Sequence, residues 1–506
     1  MSEVFVGVDV GTSSARAVAF DDTGRARATA SRSYHLKHPG ANRAELDAEE
    51  VWEATAKSVS ETVAAATESG HRVAALGLST FMHSLMALDA RNSPLTGLVI
   101  WADARAAGQV KALSRTLGAG DIYRRTGVPL HPMSPLAKLL WYRYEDSATH
   151  HRAARWSSIK DFLLLRLTGR WVLDVSVASS SGLLNLSSGR WDQDLLELTG
   201  LPESKLPPLV PATELVAELD EPRAERLGLA PGTPVVAGAA DGVLANVGVG
   251  ALDSRVTVCS IGTSGAVRRT VDRAATDDRG RTFCYPLDAD HWVVGGSINN
   301  GGVVLDWLLD KVFPDVAEEA EREGRDSHEL LDEIAARSEP GARGLLFLPY
   351  LLGERAPQWN PGARGVVFGL GISHGREDLA RAAFEGVVFQ LRSVDRVLEE
   401  ICEPANEIRA TGGFAASELW CQTMADAFGK PVTVVADVEG TAWGAAVVAM
   451  RALGTIDSLE SAPRARGHST SYGPRPGETR LYERLGGVFE RLYAGTEEEL
   501  DRLRSD

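Results

Sequence analysis

Apolar and β-branched residues run from Val4 to Val10 (VFVGVDV), stop at Gly11-Thr12-Ser13, and resume from Ala15 to Phe20 (ARAVAF). Asp21-Asp22-Thr23-Gly24 then reads as a turn, so the pattern predicts a β-hairpin opening a sheet. Glu49 to Thr67 reads as a helix, and Val73 to Ser79 (VAALGLS) as a fully buried strand. This alternation of strand, helix and strand predicts an α/β domain.

From Pro234 the cycle restarts. Pro234 to Gly238 and Val256 to Ile261 are strand-like, Gly262-Thr263 is a second turn, and Ala266 to Thr270 is a return strand. The second half is a loose echo of the first, with Gly11 and Gly262 in corresponding places. Leu379, Ala383, Val387, Leu391, Val394, Leu398 and Ile401 recur three and four residues apart, which predicts a helix with one buried stripe. A domain boundary is expected near residue 250, giving domains 1–250 and 251–455. Residues 456–506 are expected to form a surface linker, rich in Pro, Gly, Ser and Arg from Ser458 to Glu478, and a final helix from Leu481 to Leu503.

Length and charge narrow the class. A chain of 506 residues is too long for one ordinary core. Its formal charge of -16 argues against nucleic acid or an anionic membrane as partner, while leaving room for a local basic pocket. Cys259, Cys284, Cys402 and Cys421 show no CxxC pairing and read as reduced, mostly buried residues of a cytoplasmic protein. The chain opens in a strand pattern without a signal segment, and no apolar run reaches the roughly 18 residues of a membrane span.

Two Gly-Thr turns in matching contexts suggest a phosphate chain held from both sides, because small residues let backbone N–H groups approach and hydroxyls add donors. Asp9, just before the first turn, is a hard oxygen ligand suited to Mg²⁺. Asp241, in VVAGAADGVLANVG, ends an apolar strand; it reads either as a general base or as a cap for the helix that follows. Met82, His83 and Ser84 follow one buried strand, and Trp101, Asp103 and Arg105 follow another at Gly97 to Ile100. Such positions at the carboxyl ends of strands suit ligand binding. There is no HExxH, no GxSxG elbow and no GxxxxGK[ST] loop to suggest other chemistry.

DVGTSSARAVAF and SIGTSGAV resemble the two phosphate-binding loops of the FGGY carbohydrate kinases, members of the actin-like ATPase superfamily. GVVFGLGISHGREDLARAAFE resembles that family's longer signature, ATGGFAASELWCQTMADAFGKPV its adenosine-binding segment, and GTAWGAAVVA the helix that follows. The resemblance implies two actin-like (ribonuclease H-like) α/β ATPase domains with a cleft between them, using ATP and Mg²⁺. It places the base at Asp241 and the metal at Asp9, bound directly or through water. It places ATP on Gly11, Thr12, Ser13 and Arg16, on Gly262 and Thr263, on Gly301 and Gly302, and on Gly412, Gly413 and Ser417. FMHSLMALD, IWADARA, RTGVPLHPMSPLAKLLW and SIKDFLLLRLTG look most like the gluconokinase branch. The implied reaction is ATP-dependent phosphorylation of a sugar or sugar acid, with gluconate to 6-phosphogluconate as the best match. Met82, His83, Ser84, Trp101, Asp103, Arg105, Lys138 and Asp241 are the implied substrate residues, and Arg105, Lys138 and His131 are the cations available to a substrate carboxylate. Xylulose or another pentulose or polyol is the alternative substrate, and an actin-like switch ATPase the alternative class. A homodimer is compatible with the resemblance, and Glu354-Arg355 receives no assigned step.

Overall fold

The computed structural model describes residues 2–40, 42–116, 118–435, 439–463 and 469–503. They form two compact units. Unit 1 comprises Met1–Leu252, Val271–Val293 and Val438–Arg466; unit 2 comprises Asp253–Thr270, Val294–Asp437 and Gly467–Asp506. The first break between them falls at Leu252–Asp253, and the chain then passes between the units again beyond it. Two later segments pack back on unit 1, because their apolar faces are buried there. Residues 464–468 of the expected linker, and the last three residues, lie outside the described ones.

Unit 1 is built on a six-stranded sheet. Strand β1 (Ser2–Val10) pairs antiparallel with β2 (Ser14–Phe20), which pairs antiparallel with β3 (Ala26–Ser33). On its other edge β1 runs parallel to β4 (His71–Thr80). Beyond β4 lie β6 (Pro234–Ala240) and the edge strand β5 (Leu215–Glu218), in the order β5-β6-β4-β1-β2-β3. Helix α1 (Ala48–Glu68) starts where Asp47 accepts from the Glu49 and Glu50 N–H groups. It is tied down by Ser58 and Thr62, whose hydroxyls donate to the Ala15 and Ala17 carbonyls of β2. The helices that follow include α2 (Pro135–Glu145), α3 (Ile159–Thr168), α4 (Val175–Ser179) and α5 (Asp241–Gly248).

Unit 2 repeats the plan. Strand β7 (Val256–Ile261) pairs antiparallel with β8 (Gly265–Val271) and parallel with β10 (Glu407–Thr411). With β9 (Trp292–Ile298), β11 (Val432–Val435) and β12 (Ser469–Tyr472), the strands lie in the order β9-β8-β7-β10-β11-β12. Its helices include α6 (Ser327–Ala336), α7 (Arg376–Ile401) and α8 (Glu418–Phe428). The expected single stripe on α7 is an underestimate. Every residue from Ala380 to Leu391 is buried, and Arg381 and Glu385 are accommodated by pairing with each other. The chain then returns to unit 1 as α9 (Gly440–Ala452) and closes in unit 2 with α10 (Pro476–Arg502).

Helix α9 lies unusually close to the sheet of unit 1. A Cβ on Gly7 of β1 would stand 1.8 Å from the Ala442 carbonyl oxygen, and one on Gly77 of β4 would stand 2.1 Å from that of Ala445. Gly248 and Gly444 allow the same approach between α5 and α9. Backbone on backbone at this distance leaves no room for a methyl group. Gly77→Ala is expected to lower stability by about 1–3 kcal/mol or more, read as a lower melting temperature of the full chain by circular dichroism.

Candidate active site

The carboxyl ends of β1, β4 and β6 bring three sequence-distant groups together in unit 1. Asp9 ends β1 partly exposed, and Ser79 on β4 donates to its Oδ1 at 3.1 Å. Asp241 leaves β6 as the first residue of α5. Burial, and next the nearby Asp241 charge, push the Asp9 carboxyl up to about 7. Two carboxylates repelling one another in a sheltered place are what a hard cation relieves, so this all-oxygen set fits Mg²⁺. Among the described residues no group of three or more His, Cys, Asp or Glu side chains could hold a metal ion. Asp241 is not the N-cap of α5: that position is Ala240, and the Asp241 carboxylate accepts from the N–H of its neighbour Gly242 at 2.6 Å.

The first turn is tight, with the Gly11 N–H donating to the Ser14 carbonyl at 3.0 Å. The Tyr34 hydroxyl donates to the Gly11 carbonyl and braces the turn from behind. Ser13 is exposed and Thr12 partly so, leaving both hydroxyls accessible. Arg16, one residue pair along the hairpin, forms a salt bridge with Glu439 just ahead of α9.

In unit 2, Gly262, Thr263, Gly302, Gly413 and Ser417 line one cavity of about 390 Å³, together with Leu305, Asp306, His328, Asp332, Phe414 and Trp420. A Cβ on Gly262 or Gly413 would meet nothing within 4 Å, so these two glycines keep open space rather than permit packing. Gly301 and Gly412 differ. A Cβ on Gly301 would come within 2.7 Å of the Ser264 backbone, and one on Gly412 (φ +100°) within 2.3 Å of the Ile261 carbonyl oxygen. These two glycines permit close backbone packing. The Gly302 N–H donates to the Gly262 carbonyl at 2.8 Å, fastening the turn to the following helix. Ser417 caps α8 by accepting from the Trp420 N–H, and its hydroxyl also bonds Asp332, a carboxyl that burial raises to about 6. Sequence reasoning missed Asp306, His328 and Asp332. Only the spacing of His328 and Asp332, one helical turn apart on α6, hints at a shared face.

Glu354 acquires a role. Fully buried, it accepts from the Asn299 N–H at 2.6 Å and the Asn300 side chain at 3.0 Å, and so braces the strand end leading into Gly301-Gly302. Arg355 donates to the Ile298 carbonyl at 2.9 Å beside it.

The expected sugar residues are grouped in unit 1, but several are engaged with the protein. Met82 is partly exposed. His83 has φ +63°, a strained conformation for a non-glycine residue, and its Nδ1 bonds the Ser180 carbonyl at 2.8 Å. Ser84 is buried and accepts from the Ile159 N–H at 3.0 Å, positioning α3. Trp101 packs against the apolar core while remaining partly exposed. Asp103 and Arg105 are bound to each other, and Arg105 also pairs with Glu45 and lies over the Trp141 ring. Asp103 accepts in addition from the Ala44 N–H at 2.8 Å.

Lys138 corrects the expectation of a carboxylate-binding cation. The HPMSP stretch caps α2, with the Ser134 hydroxyl accepting from the Ala137 N–H and Pro135 in the first turn. Lys138 then points inward and is fully buried. Its ammonium donates to the carbonyl oxygens of His83 (2.5 Å) and Ile100 (2.8 Å), and burial pulls its pKa down to about 7. It clamps together the two loops that carry the sugar candidates. Arg105 is likewise committed to Asp103 and Glu45 rather than offered to a substrate.

Two units, each an antiparallel hairpin extended by parallel strands and helices, define an actin-like ATPase fold. Residues 4–248 match the model for the N-terminal domain of the FGGY family of carbohydrate kinases, and residues 257–453 match that for its C-terminal domain. The chain belongs to this family, whose members use ATP. It is 39% identical to a gluconokinase of Bacillus subtilis over 97% of this chain and 96% of that protein. A xylulose kinase of Staphylococcus epidermidis is 29% identical over 98% of each chain. The crystal structure of gluconate kinase from Lactobacillus acidophilus superposes with a TM-score of 0.93 at 32% identity, covering 99% of this chain and all of that one. No helix among the described residues is long and apolar enough to cross a membrane.

Filling the open space at Gly413 should separate binding from folding. Gly413→Val is expected to raise the KM for ATP by about tenfold or more, the equivalent of 1.4 kcal/mol, with the melting temperature unchanged.

Proposed function

We propose that this enzyme phosphorylates gluconate to 6-phosphogluconate in the cytoplasm, using ATP and Mg²⁺. Phosphoryl transfer is supported by the Asp9–Ser79–Asp241 cluster at the ends of three neighbouring strands. Gluconate as acceptor rests on likeness over nearly the whole chain, 39% to a gluconokinase against 29% to a xylulose kinase. Lys138 and Arg105 do not bear on this choice, since both are engaged with the protein.

Asp241 accepts the proton of the attacking hydroxyl, which raises its nucleophilicity as the new P–O bond forms. Asp9, oriented by Ser79, would hold Mg²⁺, which neutralises charge on the phosphoryl group in transfer. The hydroxyls of Thr12 and Ser13 donate to phosphate oxygens at the first turn, and Gly262 and Thr263 serve the nucleotide in unit 2. Adenine occupies the cavity bounded by Gly413, Phe414 and Ser417. Met82, His83 and Trp101 orient the sugar, while Asp103 and Arg105 stiffen the loop that presents Trp101.

A coupled ADP-release assay with gluconate, xylulose, ribulose, glycerol and no sugar tests the reading. Gluconate is expected to give the largest kcat/KM; xylulose in its place would keep the mechanism and overturn the substrate. Asp241→Asn is expected to lower kcat by about 10² to 10⁴. Protons and Mg²⁺ compete for Asp9, whose protonated form predominates below pH 7. Apparent Mg²⁺ affinity should therefore weaken by up to about tenfold per pH unit below 7, with excess Mg²⁺ restoring the rate at pH 6. Initial rates across a Mg²⁺ series at pH 6, 7 and 8 measure this directly.

A further inference from the structure

The pairing of β4 with β6 is broken just before Asp241. Val236 lies opposite Gly77, but Ala239 lies opposite Ser79, so Ala237 and Gly238 together face the single residue Leu78. Gly238 has φ +67°, and a Cβ there would meet the Leu78 carbonyl oxygen at 1.9 Å. The N–H groups of Ala237 and Gly238 turn away to the Glu214 and Ala212 carbonyls, and that of Ala240 goes to the Ser176 hydroxyl. A bulge of this kind bends a strand and re-aims the residue that follows it. Here Ala239 and Ala240 re-pair with Ser79 and Thr80 beyond the bulge, and the strand so redirected delivers Asp241 at the start of α5.

The interruption is bridged by a side chain. Lys160, fully buried on α3, donates from Nζ to the Leu78 carbonyl on β4 and to the Ala239 carbonyl on β6, the latter at 3.2 Å. Its nearest carboxylate is Asp174, at 3.6 Å. Asp174 is fully buried too; one oxygen caps α4 by accepting from the Val177 N–H, and the other has no hydrogen-bond partner. The charge of Asp241 also acts on Lys160. An ammonium buried so completely is costly unless its protons are taken up, and two of its acceptors are main-chain groups on the strands that carry Ser79 and Asp241.

We propose that Lys160 is a positioning residue for Asp241, tying β4 to β6 across the bulge and so setting where the Asp241 carboxylate stands. This rests on the role given to Asp241 above. Lys160 touches no reacting atom; it acts through the Leu78 and Ala239 carbonyls, with Asp174 as counter-charge. A methylene chain without the ammonium frees both carbonyls and lets the start of α5 shift. Displacement of a reacting group by about 1 Å is enough to cost on the order of 10² in rate.

The test uses Lys160→Met and Lys160→Gln in the full-length enzyme, the second keeping one donor in case the first does not fold. For Lys160→Met, kcat per nucleotide-binding site is expected to fall about 10²-fold, with the KM values for ATP and sugar within threefold of wild type. Lys160→Gln is expected to lose at least tenfold in kcat with the same KM values. A kcat per site within threefold of wild type in either folded variant, or a loss carried by KM, would overturn the proposal. Crystal structures of wild type and the folded variant decide the point without reference to turnover: the Asp241 carboxylate is expected to move by more than 1 Å while α1 and the β1–β2 hairpin stay in place. An unmoved Asp241 overturns the proposal. A wild type that turns over no sugar in the panel removes the gluconate reading alone, since the crystallographic comparison still decides what Lys160 does.

Discussion

The fold of unit 1 depends on how closely helix α9 can lie on strands β1 and β4. Gly7 and Gly77 remove the side chains that would hold helix and sheet apart, and the Ala442 and Ala445 carbonyls come down onto the strand backbones. At ordinary packing density a single added methyl group cannot be absorbed in such a contact. The consequence is functional. Asp9 lies two residues beyond Gly7 on β1, and Ser79 two residues beyond Gly77 on β4, so the same docking that builds the core sets the register of the acid and its hydrogen-bond donor.

Polar groups inside each unit follow a common rule: a buried charge is kept where it replaces something the backbone lacks. Lys138 gathers the carbonyls of His83 and Ile100, joining the two loops, and bonds His83 in its left-handed conformation. Lys160 does the same for Leu78 and Ala239 at the bulge. In unit 2, Asp395 on α7 accepts from Arg269 at 2.7 Å and from Lys430 at 2.8 Å, joining β8, the long helix and the residue ahead of β11. Each of these charges finds its partners inside its own unit.

Much of this architecture was legible in the pattern of apolar residues. The opening hairpin, the buried strand after α1 and the second hairpin at Val256 are local, and strand and turn residues specify them directly. Both Gly-Thr turns were legible for the same reason. Side-chain direction was not. Lys138 looks the same in sequence whether it faces a substrate, solvent or the core, because a helix residue's environment depends on what packs against that face. The glycine pairs also look alike, yet Gly413 borders open space while Gly412 sits against Ile261. Discontinuous membership of unit 1 was hidden too, since nothing local tells α9 which sheet it will cover.

What the sequence settles unaided is the order of the elements, the repeat that makes two ATPase-like units, and the presence of the acids and turns to which the proposed chemistry is assigned. These follow from local periodicity and from residue types that few other sites require. Only the tertiary structure shows which polar residues are used up inside, as with Arg105 and Lys138. It alone placed Asp306, His328 and Asp332 at the cavity, and it alone bulged β6 beneath Asp241. Those outcomes depend on contacts between residues far apart in the chain, whose energies exist only once the backbone has brought them within hydrogen-bonding distance.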